Sequence, residues 1–179
     1  MKSPNFSYWR FYLPRSSIEN LMPSNNPIDF IEETLNSEEW PCYRLSAEEL
    51  LIEIPGRWCD YRLQFLWQED LNILQLFCLM DIRLQAKVKT EIQELLCLIN
   101  EKLALGHFEM MPDENVPTFR YGYLLLNVKN LAIEVVEEMI NISIAECEKF
   151  YPAFQFVIWG GKSAKEAASV AMLDTVGEA

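Results

Sequence analysis

The sequence CDYRLQFLWQEDLNILQLFCLMDI, at residues 59–82, is the most informative part of the chain about its fold. Its first part alternates apolar and polar side chains, and this alternation predicts a β-strand that buries one face. The polar pair Glu69-Asp70 predicts a tight turn, and the apolar run after it predicts a second strand over residues 71–82. The buried face of the first strand consists of Cys59, Tyr61, Leu63, Phe65 and Trp67.

The register of this hairpin supports the prediction. Folding it about Glu69-Asp70 brings apolar side chains of the two strands opposite each other. A slip of one residue would turn the whole set to the other face. The second strand is also apolar on its opposite face, which we expect to contact another element or a second subunit. The predicted pairs are Phe65 with Leu74, Leu63 with Leu76, Tyr61 with Cys78, and Cys59 with Met80. The predicted dimer or partner face is Leu71, Ile73, Phe77 and Leu79.

Outward from the hairpin, the sequence predicts an α+β fold. Its antiparallel five-stranded sheet has helices packed mainly on one face, in the order α-β-β-β-α-β-β-α-α. Residues 1–25 are predicted to be a loosely ordered extension and residues 26–179 a single domain. Residues 151–159 fit a helix and a strand equally well. The other elements are a helix capped by Asn26 and opened by Pro27, a strand at 49–54, a helix at 86–105, strands at 107–111 and 118–126, a helix at 130–150 limited by Pro152, and a tail helix with a Ser163–Glu166 capping box.

The charge balance of the chain restricts the classes of partner that it is expected to bind. The 179 residues carry 27 acidic against 15 basic side chains, a formal net charge of -12. Since nucleic acids and anionic membranes bind concentrated positive charge, neither is an expected partner, whereas a basic, flexible protein segment is. Five cysteines at wide spacings predict reduced thiols and a cytoplasmic protein.

The second hairpin offers one candidate binding patch. Closing Met111 on Val116 places His107 opposite Arg120, and four polar side chains then share one face. The alternative is a solvated hairpin whose polar pairs contribute only tenths of a kcal/mol each. Since His107 is the only histidine, such a patch would respond to pH near neutrality. The patch consists of His107, Glu109, Thr118 and Arg120.

Catalytic and cofactor motifs are sparse. One histidine and scattered thiols match no zinc-ligand spacing, and we predict no catalytic residues, metal or cofactor. The sequence Gly160-Gly161-Lys162-Ser163 resembles the end of a phosphate-binding loop, but Phe156 stands where that motif needs glycine. The alternative function is a small hydrolase or nucleotide-using enzyme with its site near His107 or Lys162.

Six segments of the sequence carry a resemblance to a known family. They are residues 56–61, 67–71, 99–108, 119–120, 150–162 and 175–179. Over residues 26–179 the sequence resembles the YbjN family of bacterial sensory transduction regulators. The resemblance implies a fold like that of type III secretion chaperones, which are commonly acidic homodimers that hold an extended client segment. It implies no catalytic residues. We therefore predict a non-catalytic regulator or chaperone-like adaptor, acting as a homodimer in bacterial signalling or stress response, with a structural subunit of a larger complex as a further possibility.

Overall fold

The computed structural model describes residues 26–37, 40–84, 88–111 and 115–173. The extension predicted for residues 1–25 lies outside these ranges. The elements are α1 (Pro27–Ser37), β1 (Cys42–Arg44), β2 (Glu49–Pro55), β3 (Asp60–Gln68), β4 (Ile73–Leu79), α2 (Lys89–Asn100), β5 (His107–Met111), β6 (Val116–Leu124), α3 (Ile133–Ile158) and α4 (Ala164–Leu173).

The fold is α+β, as predicted, but its sheet has six strands rather than five. The strand order is β1-β2-β3-β4-β6-β5, and all neighbours are antiparallel. The additional strand is β1, which pairs Tyr43 with Leu51. With three residues it is too short for alternation to reveal it.

The predicted register between β3 and β4 is wrong by two residues. Phe65 pairs with Leu76 rather than Leu74, because the connection is longer than a two-residue turn. A 3-10 turn over Glu69–Leu71 ends at Asn72, whose φ of 53° is left-handed. Since side chains alternate with period two, this even shift leaves the apolar residues within β3 and β4 on their predicted faces.

Both helix N-termini that the sequence identified are confirmed. The Asn26 side chain accepts a hydrogen bond from the Ile28 N–H at 2.9 Å, at the start of α1. At the start of α4, the Ser163 N–H donates to Glu166 Oε2 at 3.0 Å, and the Glu166 N–H donates back to Ser163 Oγ at 3.4 Å. These reciprocal bonds form the predicted capping box.

The helices α2 and α3 differ from their predicted lengths. α2 ends at Asn100 rather than continuing to residue 105. The Asn100 side chain instead bonds the backbone of Phe108, donating to its carbonyl at 2.9 Å and accepting from its N–H at 2.7 Å. α3 runs through Pro152 to Ile158, so residues 151–158 are helical and Pro152 does not limit the helix.

The core lies between the helices and one face of the sheet. Side chains of β2, β3, β4, β5 and β6 on this face are buried against α1, α2 and α3. The Phe108 ring contacts the Phe119, Phe150 and Phe154 rings at centroid distances of 5.1, 5.7 and 5.7 Å. The fold therefore packs its helices on one side of the sheet. The buried strand residues include Leu50, Ile52, Ile54, Tyr61, Leu63, Phe65, Trp67, Leu74, Leu76, Cys78, Phe108 and Phe119.

Candidate functional site

The sheet face away from this core, called the open face below, is a mixture of apolar and polar side chains. Strand pairing places Leu66 beside Gln75 and Gln64 beside Phe77 across its centre. Apolar side chains that form one contiguous patch, rimmed by polar residues, can mark a surface that contacts another chain. The open face includes Tyr43, Glu49, Leu51, Glu53, Arg62, Gln64, Leu66, Gln68, Ile73, Gln75, Phe77, Leu79, His107, Glu109, Thr118, Arg120, Gly122 and Leu124.

The four residues predicted as the dimer or partner face have different positions. Ile73 and Phe77 lie on the open face and are half-buried. Leu79 lies on the same face but is only 5% exposed. Leu71 does not belong to the strand, because it lies in the 3-10 turn before it, where it is 57% exposed. The predicted face is therefore reduced to Ile73 and Phe77.

The polar patch predicted on the second hairpin comes together as expected. His107 pairs with Arg120, and Glu109 pairs with Thr118. Glu109 Oε2 lies 3.5 Å from His107 Nε2 and 3.6 Å from Arg120 Nη1. The Arg120 guanidinium lies 5.3 Å from the centroid of the Phe77 ring. The patch thus joins the apolar centre of the open face.

Thr118 differs from the other members of the patch. It is fully buried, and its hydroxyl donates to the Val116 carbonyl at 3.2 Å. Since this hydroxyl is not accessible, the part of the patch that a partner could contact consists of His107, Glu109 and Arg120.

Among the residues that the structure describes, one segment of the sheet edge lies beside the open face without a neighbouring strand. β6 pairs with β4 over Thr118–Leu124, but β5 pairs with β6 only as far as Arg120. The last four residues of β6, called the free end of β6 below, are Tyr121, Gly122, Tyr123 and Leu124. Gly122 is exposed, and Leu124 is 60% exposed.

A junction between the 56–59 loop and α3 explains how the helix tolerates its proline. Pro152 has no N–H, so the Glu148 carbonyl one turn earlier receives no helical hydrogen bond from it. The Trp58 indole N–H donates to this carbonyl at 3.1 Å, and the Arg57 N–H donates to Glu148 Oε1 at 2.6 Å. The Trp58 ring also stacks on Tyr151, with centroids 6.0 Å apart. We call these contacts the loop–helix junction.

Gly56 is required for this junction. A Cβ there would lie 2.6 Å from Glu148 Oε1 and would overlap the Tyr61 ring. Burial raises the pKa of Tyr61 and raises that of Tyr151 to about 12. Sequence reasoning missed this junction. A proline inside an otherwise helical pattern, together with an unassigned tryptophan, was the available signal.

The glycine-rich sequence before α4 ends α3 and does not form a phosphate cradle. The Gly160 N–H donates to the Gln155 carbonyl at 3.3 Å, and the Lys162 N–H donates to the Phe156 carbonyl at 3.1 Å. The Ser163 N–H belongs to the capping box. A phosphate cradle needs these backbone donors to be free, and here they cap two helices.

The cysteines are reduced, and their surroundings differ. Cys78 and Cys147 are buried, Cys42 and Cys59 are half-buried, and Cys97 is exposed. Burial raises the thiol pKa of Cys42, Cys59 and Cys147. Within the described residues, no group of three or more His, Cys, Asp or Glu side chains could hold a metal ion. Among the same residues, no helix has the length and apolar character needed to cross a bilayer.

Comparison with known proteins identifies a family. The YbjN family model, described as "Putative bacterial sensory transduction regulator", matches residues 27–156. A crystal structure of YbjN from E. coli, described as "a putative transcription regulator", is 15% identical, with a TM-score of 0.42 over 67% of this chain and 90% of that one. No curated protein sequence matches the chain.

Proposed function

The chain belongs to the YbjN family, and from this premise we propose that it is a non-catalytic regulator that acts by binding another protein chain. It works as a homodimer in bacterial signalling or a stress response. It holds an extended client segment in the manner of a type III secretion chaperone. Its location is the cytoplasm, in keeping with five free cysteines.

The observation that carries this proposal is the apolar centre of the open face. Ile73, Phe77 and Leu66 are half-buried there, and Leu124 is 60% exposed beside Ile73. These four side chains lie on the opposite face from the helices. Covering them removes apolar surface from water at about 25 cal/mol per Å², which favours association with a second chain.

The charged margin of the open face adds specificity rather than affinity. Glu109 and Arg120 lie on it in one hairpin, and each copy of a two-fold dimer presents both signs of charge. Charges at the rim of an interface mainly set orientation and association rate. The pairing of two copies is therefore directed by the hairpin and stabilised by the apolar centre.

The dimer is tested by placing a carboxylate in the middle of the open face. Multi-angle light scattering of the wild-type chain is expected to give twice the chain mass of 20.9 kDa. Phe77→Asp is expected to give the single-chain mass, because a charge buried in an apolar interface without a partner is costly. Val170→Asp is the matched control, since Val170 is 38% exposed on α4, away from the sheet.

The outcome also decides between the open face and another interface. A single-chain mass for the wild type contradicts the homodimer. A dimer that survives Phe77→Asp but dissociates with Val170→Asp places the interface on the helices instead. Circular dichroism of each variant separates dissociation from unfolding.

A further inference from the structure

We propose that the free end of β6 binds an extended segment of a partner protein, which adds a short strand to the sheet in line with β5. The segment has apolar side chains at alternate positions and a basic residue at its flank. This rests on the proposed function, because it names where the partner chain binds and which chemistry it presents.

The proposal depends first on the direction of the backbone N–H and C=O groups in β6. The Leu125 N–H donates to the Asn72 carbonyl at 2.8 Å, so odd-numbered residues here direct their backbone groups toward β4. The N–H and C=O groups of Gly122 and Leu124 therefore point away from β4. On that side β5 has already ended, since its last partner is Arg120. These groups form a template for one added strand.

One neighbouring part of the same edge is closed, which makes the free end of β6 distinctive. On β5, the outward N–H and C=O of Phe108 both bond the Asn100 side chain. Proteins usually cover strand edges in such ways to prevent unwanted pairing. An edge segment left open beside a covered one is suited to a partner strand.

Gly122 supports the same assignment. Glycine inside a strand weakens it, and usually marks a bulge, a bend or a close approach by another backbone. The pairing with β4 is regular through Gly122, so there is no bulge. Within the chain, a Cβ there would make only an ordinary contact with Ile73 Cγ2 at 3.9 Å. The missing side chain leaves a gap on the open face, into which an apolar side chain of an added strand can lean.

The acidic residues near the free end of β6 predict a basic residue at the flank of the bound segment. Asn72 joins the end of β6 to the turn at Glu69–Leu71, so the exposed Glu69 and Asp70 lie near the exit of the free end. The whole chain carries a net charge of -12. A lysine or arginine at that flank is attracted, whereas an acidic one is repelled.

The proposal is tested with three synthetic peptides and the full 179-residue chain. The first is Lys-Val-Thr-Val-Thr-Val-Lys, the second replaces both lysines by glutamate, and the third is N-methylated at alternate residues to remove one edge of donors. NMR-detected hydrogen exchange reports on the amides of Gly122 and Leu124. The first peptide is expected to slow both about tenfold, and the other two are expected to have little effect.

Two substitutions at Gly122 separate the backbone contribution from the side-chain gap. Gly122→Pro removes the outward N–H without touching the bonds to β4, so peptide binding is expected to be lost. Gly122→Ala keeps the N–H and partly fills the gap, and it is expected to retain binding at reduced affinity. Isothermal titration calorimetry measures both variants, and light scattering confirms that their mass is unchanged.

Each other result overturns the proposal in a distinguishable way. Slow exchange at Gly122 in the free chain that depends on protein concentration assigns the edge to a second copy. Slow exchange independent of concentration assigns it to a segment of the same chain. Absent binding with an intact dimer overturns only this site, whereas absent binding in a single-chain protein overturns the proposed function too. Equal binding by Gly122→Pro overturns strand addition.

Discussion

The loop–helix junction and the free end of β6 both contain backbone groups that regular secondary structure leaves without a partner. At the junction, the Glu148 carbonyl freed by Pro152 receives the Trp58 indole N–H at 3.1 Å. At the free end, the outward groups of Gly122 and Leu124 have no neighbouring strand among the described residues. The first group is satisfied inside the molecule, and the second is exposed beside an apolar face. One interruption of secondary structure is therefore compensated within the fold, while the other leaves backbone groups exposed at the sheet edge.

Removing the Trp58 side chain is expected to give the largest loss of stability. Trp58→Ala removes the stacking on Tyr151 and the donor to the Glu148 carbonyl. Since Trp58 is 37% exposed, the free energy of unfolding should fall by about 2 to 3 kcal/mol, at or below the lower end of the range for a buried aromatic. Trp58→Phe keeps an aromatic ring and loses only the donor, which should cost about 1 kcal/mol. Urea unfolding measures both. Trp159→Phe is the matched control, because Trp159 is 63% exposed.

A double-mutant cycle shows whether Trp58 compensates for Pro152. Pro152→Ala restores the helical N–H, so the cost of Trp58→Phe should shrink by about 1 kcal/mol in that background. Additive effects of the two substitutions would mean that the indole bond is independent of the proline. The contrast between the two regions would then lose its physical basis.

Replacing each of two glycines by alanine should change the free energy of unfolding in opposite directions. Gly56→Ala is expected to destabilise by about 2 kcal/mol, because its Cβ meets Glu148 and the buried Tyr61 ring. Gly122→Ala is expected to stabilise by about 0.5 kcal/mol, because a strand interior prefers any side chain to glycine and there is room for one. Urea unfolding of the two variants compares them directly. A loss of stability at Gly122 would show that the gap serves the fold itself.

The junction should also set how the protein responds to alkali. Burial raises the pKa of Tyr151 from its usual value of about 10 to about 12, so the folded chain keeps a proton that the unfolded chain releases. The part of the stability that depends on this proton is therefore complete below about pH 10 and falls as the pH rises toward about 12. Tyr151→Phe should flatten this decline in urea unfolding series at pH 9 to 12. An unchanged slope would contradict the assignment to this phenol.

Sequence patterns identified the faces of the strands more reliably than their partners. The pairing of the second hairpin was predicted correctly, although its second strand runs over Val116–Leu124 rather than residues 118–126. The predicted register of the first hairpin was wrong by two residues, because no sequence pattern distinguishes a tight turn from the 3-10 turn that ends at Asn72. Pro152 was expected to limit α3. That rule fails here because the compensating donor, Trp58, lies far away in sequence.

The candidate site could be predicted only in part for a similar reason. Alternation placed Ile73 and Phe77 on one face, and pairing brought His107 to Arg120. The free end of β6 depends on where β5 stops relative to β6. That offset is a property of two strands together, so no single segment of sequence contains it.

A substitution in the polar patch on the second hairpin should have the smallest effect on the free energy of unfolding. Its groups are neither fully paired inside the protein nor left without partners. Glu109 Oε2 lies 3.5 Å from His107 Nε2 and 3.6 Å from Arg120 Nη1, and all three side chains are partly exposed. Such pairs contribute only tenths of a kcal/mol. Glu109→Gln is thus expected to change the free energy of unfolding by less than about 0.5 kcal/mol at pH 7. Urea unfolding at low and high salt measures this change. A loss of stability above about 1 kcal/mol would show that the patch stabilises the fold, as the loop–helix junction does.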